Sequence, residues 1–73
     1  MHNTLQRIIN KIKKLERRKL TEEQQKALDG IKQIFSFFQS KNAKGLAFSI
    51  DDERSLRALD VIVIYMVKDS SVT

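Results

Sequence analysis

Cysteine, proline and tryptophan are all absent from this 73-residue chain, and glycine occurs only at Gly30 and Gly45. Without cysteine there is neither a disulfide nor a thiolate metal site. That absence fits a cytoplasmic setting. The single histidine, His2, cannot assemble a histidine-based metal centre. Beside the terminus it reads as a solvated residue rather than a general base. Without proline, nothing interrupts long helices except the turn signals themselves. Long apolar runs are missing as well. The longest, residues 61–67, falls far short of the ~20 residues a bilayer span needs, so a soluble chain is expected. Near the start, Leu5, Ile8, Ile9 and Ile12 are interrupted by Arg7, Asn10 and Lys11, which excludes a signal-peptide core there.

Reaction chemistry is missing too. There is no nucleophile–base pair, no phosphate-cradling glycine loop and no His or Cys pair, so the expectation is a non-enzyme without cofactor or metal. Asp51, Asp52 and Glu53 are adjacent in sequence and on a helix would not converge on one ion. They complement a helix N-terminus instead.

What remains is charge and apolar periodicity. The net charge of +5 is unevenly spread. Residues 1–20 hold seven Lys or Arg against one Glu, whereas residues 49–73 hold three basic against five acidic side chains. The basic start is therefore suited to an acidic surface, either nucleic acid or the acidic end of its own partner.

The spacing of Leu5, Ile8, Ile9, Ile12 and Leu15 predicts a first helix over residues 4–20. Arg7, Lys11, Lys14 and Arg18 form a second stripe on the opposite side, read as a solvated face with nucleic-acid contact as the functional alternative. No aromatic side chains interleave with these cations, so a stacking platform for single strands is absent. Thr21-Glu22-Glu23-Gln24 reads as a capping box opening a second helix to about residue 41. Its expected inner face is Ala27, Ile31, Ile34, Phe35 and Phe38, with Leu28 and Phe37 at the edges. Gly30 borders that face, as a close-approach point or as a tolerated residue. Residues 40–45 form a turn, residues 46–48 lid the core, and Ser49-Ile50-Asp51-Asp52 caps a third helix over residues 50–68. Residues 69–73 read as a disordered tail.

The segment 58–67, ALDVIVIYMV, is apolar except for Asp60. As a helix it has two faces. Leu56, Leu59, Val63, Met66 and Val67 can close a monomer core, and Ala58, Val61, Ile62 and Tyr65 are left over. Its β-branched content leaves an α+β alternative, with residues 46–50 and 61–67 as strands. Asp60 falls on the core side and needs a basic partner, from Arg57, from helix one or from a second subunit.

The expectation is thus one all-α domain over residues 1–73, a three-helix bundle whose first two helices form an antiparallel hairpin. Functionally it is a small protein–protein interaction or regulatory module, inhibitor- or adaptor-like. It self-associates as a homodimer or docks on a larger protein through Ala58, Val61, Ile62 and Tyr65. The alternative is a basic nucleic-acid-binding protein using Arg7, Lys11, Lys14 and Arg18.

Overall fold

The computed structural model describes residues 3–70. Three helices follow one another: α1 (Asn3–Glu16), α2 (Glu22–Ala43) and α3 (Ile50–Ser70). No strand occurs among the described residues, so residues 61–67 are helical and the strand alternative for 46–50 and 61–67 does not hold. The acidic cap decides it. Ser49 and Asp52 exchange hydrogen bonds, Ser49 N to Asp52 Oδ2 at 3.0 Å and Asp52 N to Ser49 Oγ at 3.1 Å. With the first turn of α3 set this way, helix propagates through the β-branched run, whose inner side chains find packing partners.

α2 opens on the expected capping box. Thr21 N donates to Gln24 Oε1 at 3.0 Å and Gln24 N to Thr21 Oγ1 at 3.1 Å. It closes at Gly45, the one residue with positive φ (+72°) among those described. There the Gly45 and Leu46 amides return to the Asn42 and Lys41 carbonyls, which ends the helix in a Schellman turn. α1 is shorter than its spacing suggests. It stops at Glu16 because the apolar stripe ends at Leu15, and Arg17 and Arg18 already donate in tighter i→i−3 bonds to Lys14 and Leu15. The third helix runs on through Ser70, so residues 69 and 70 of the expected tail are ordered helix. His2 and residues 71–73 lie outside the described residues.

The core follows one rule in all three helices. Leu5, Ile8, Ile12 and Leu15 are buried in α1, Leu28, Ile31, Phe35 and Phe38 in α2, and Leu56, Leu59 and Val63 in α3. Their spacing alternates between three and four residues, the seam of a coiled-coil-like bundle. This corrects the inner face of α2. Leu28 is fully buried at its centre, whereas Ala27 is exposed and Ile34 is 53% exposed. A helix that meets only two neighbours buries a narrow seam, not a broad face. Phe48 packs on this core and Leu46 does not, so the connector lids it with one side chain only.

α1 and α2 are antiparallel, linked by Lys32 Nζ donating to Glu16 at 2.9 Å. α3 packs most extensively on α1 and runs parallel to it. Lys11 meets Asp60 and Arg18 meets Val67 at the same 49-residue separation. The bundle is one helix long, 40 × 18 × 16 Å.

Candidate interaction surface

Because α3 spends one seam on the core, its opposite side faces outward. Ala58 is exposed, and Val61, Ile62 and Tyr65 keep 50%, 46% and 62% of their surface in contact with solvent. Tyr65 lies under the Lys68 ammonium, 5.9 Å from its ring centroid. α2 extends this apolar surface. Ile34 and Phe37 are exposed, and they share a flank with Lys41, whose Nζ donates to Asp52 of α3 at 2.6 Å. That ion pair identifies the flank as the one turned toward α3 and fixes the antiparallel register of the two helices. Phe37 anchors edge-on to the buried Phe38, at 5.4 Å and 81°, and also lies beneath Lys41. It reads from sequence as the edge of the core, and in the fold most of its ring is outside it.

The basic stripe of α1 divides. Lys11 Nζ donates to Asp60 Oδ1 at 2.8 Å, in a half-buried ion pair. This gives Asp60 its partner on helix one rather than Arg57. Arg18 donates at 2.7 Å both to the Val67 carbonyl and to the buried Ser70 hydroxyl, closing the C-terminal end of α3 onto α1. Arg7 makes only a local 3.4 Å contact to Thr4 Oγ1, and Lys14 is exposed. The exposed cations of α1 are therefore Arg7, Lys13 and Lys14, with Arg17 just past its end. The sequence does hold the signal for this division. Lys11 and Arg18 are seven residues apart, immediately flanking the buried seam on one side, as Ile9 and Glu16 flank it on the other. In a heptad bundle such flanks pair with neighbouring helices.

A shallow groove runs between α1 and α2. It comprises two hollows of about 380 and 310 Å³ that share Ile9, Phe35 and Gln39 as lining. Its floor is apolar and its rim carries Gln6, Asn42, Ser36 and the Glu16–Lys32 pair. The Glu16 carboxylate bonded to Lys32 holds that ammonium above its ordinary pKa. No nucleophile with an adjacent base lines the groove. Among the described residues no group of three His, Cys, Asp or Glu side chains is placed to hold a metal ion, and no helix is long and apolar enough to cross a membrane. No protein-family model matches the chain, nor does any curated protein or any solved structure.

Proposed function

We propose that this chain is a small non-enzymatic interaction protein, regulatory in the manner of an inhibitor or adaptor, that associates with protein through the outer face of α3. One observation carries the reading: Ala58, Val61, Ile62 and Tyr65 form an exposed apolar strip on a helix whose other side already closes the core. Covering the exposed half of each large side chain is worth about 1 kcal/mol, and Ile34 and Phe37 widen the patch on the α2 side. Exposed apolar surface of this kind, rimmed by charge, is what protein partners cover. The duplex-binding alternative draws on the positive charge of α1. It has less support, because Lys11 and Arg18 are engaged inside the bundle.

The reading is tested by placing a photoreactive side chain at Tyr65 in the cells that make the protein, with the same group at the exposed polar Gln33 as control. The expected result is a discrete protein adduct from position 65 that Ile62→Glu abolishes. No adduct beyond that obtained from position 33 overturns the reading.

A further inference from the structure

The charges bordering the outer face of α3 are complementary to themselves, and from them we infer that the occupant of this face is a second copy of the chain, its α3 lying parallel to the first about a two-fold axis. This rests on the docking reading above and specifies its partner. At about 100° per residue, Ala58 and Tyr65 mark the midline of the face. Asp51, Ile62 and Asp69 fall on one flank, and Arg54, Val61 and Lys68 on the other. One flank thus carries acids at both ends and the other carries bases at both ends, with aliphatic residues between. Among the described residues, Asp51, Arg54 and Asp69 have no ion-pair partner, so the bundle itself leaves these three charges unused.

A two-fold axis parallel to the helices brings opposite flanks together. Asp51 of one copy then meets Arg54 of the other, Asp69 meets Lys68, and Ile62 meets Val61, each twice by symmetry. Antiparallel packing brings like flanks together instead, setting Arg54 opposite Lys68 and Asp51 near Asp69. Charges flanking an apolar seam set orientation and partner choice in this way. A larger, unrelated target would place no requirement on the strip to match itself. Ala58 at the midline also lets two α3 backbones approach closely.

Sedimentation equilibrium of the purified chain up to ~1 mM tests the inference, that concentration corresponding to the weakest specific association of interest. The expected result is a monomer–dimer equilibrium. Arg54→Glu and Asp69→Lys should each weaken it about tenfold, since each turns two attractive pairs repulsive. The exchange Asp51→Arg with Arg54→Glu should return the affinity to within about threefold of the parent, because reversing both members preserves each pair. Both single changes suit the helix dipole, so unaltered far-UV circular dichroism is expected to accompany them. A chain that stays monomeric throughout overturns the second-copy inference. So does an affinity that is unchanged or tightened by Arg54→Glu, which marks antiparallel packing. Neither result removes the docking reading, which stands or falls with the adduct at position 65. An adduct containing a different protein, from a chain that is monomeric alone, would separate the two.

Discussion

Asp52 shows how one side chain can serve several elements at once. Its Oδ2 accepts from Lys41 Nζ at 2.6 Å and from the Ser49 amide at 3.0 Å, so it caps α3 and ties it to α2. The Lys41 hydrogen bond, then the bond from the Ser49 backbone, holds its carboxyl below the usual carboxylate range. A carboxyl that ionises more readily when folded contributes its stability above the unfolded-state pKa and loses it as the pH falls through the folded one. Urea midpoints should therefore fall on acidification below about pH 5, and Asp52→Asn, which keeps the cap acceptor, should flatten that fall. An identical acid slope in parent and variant would show that Asp52 is not linked to stability. Much of this was legible in the sequence, since Ser49-x-x-Asp52 is a capping pattern. The Lys41 bond was not. It depends on where the Schellman turn at Gly45 returns the chain, which spacing along one helix does not encode. Asp60 is similar: its need for a base was plain, but the choice of Lys11 over Arg57 follows from the parallel register of α1 and α3.

At the scale of the helices, the two glycines have opposite roles. Gly45 sits at φ +72°, where an added Cβ is strained, whereas Gly30 lies in the exposed middle of α2 with nothing within 4 Å of where its Cβ would be. Gly30 is thus a tolerated residue in the bundle rather than a point of close approach. Gly30→Ala should stabilise the fold by about 0.5–1 kcal/mol through backbone entropy alone. Gly45→Ala should destabilise it by about 1 kcal/mol because the left-handed position disfavours a side chain. Chemical denaturation of dilute protein checks both, and a destabilising Gly30→Ala would mean that α2 has a close neighbour at that position. Helix number and both capping boxes could be read from sequence because they are local, whereas α2 runs on to Ala43 through most of the turn expected at residues 40–45. The inner face of α2 could not. Periodicity alone admits Ala27 and Ile34 as readily as Leu28, and only the narrow seam imposed by two neighbouring helices selects 28, 31, 35 and 38. The same seam logic explains why the stripe of α1 divides, with Lys11 and Arg18 turned to α3.

For the whole molecule, the balance between a small core and a large apolar remainder is decisive. Among the described residues, eleven buried hydrophobic side chains hold the bundle, while seven large ones stay exposed, among them Ile34, Phe37, Val61, Ile62 and Tyr65. The surplus in residues 58–67 was visible in the sequence as an apolar run too broad for one face, but its continuation onto α2 needed the α2–α3 register. Chains this short bury a modest fraction of their surface, so covering this remainder changes stability noticeably. If α3 pairs with a second copy, folding and association are linked, and the melting temperature must rise with protein concentration once dimers are populated. Each tenfold increase adds about 0.7 kcal/mol per protomer, half the usual increment because two chains share it. In a domain of this size that corresponds to ~3–5 °C. Ile62→Glu should remove the concentration dependence yet melt close to the parent at the lowest concentration, because Ile62 is 46% exposed and outside the buried seam. Calorimetry or circular dichroism over a hundredfold dilution series measures both. A flat parent melting temperature across concentrations at which sedimentation finds dimer would show that association is not confined to the folded chain, since a dimer of folded chains alone must raise it. A strong loss in the dilute variant would instead place Ile62 in the monomer's own core.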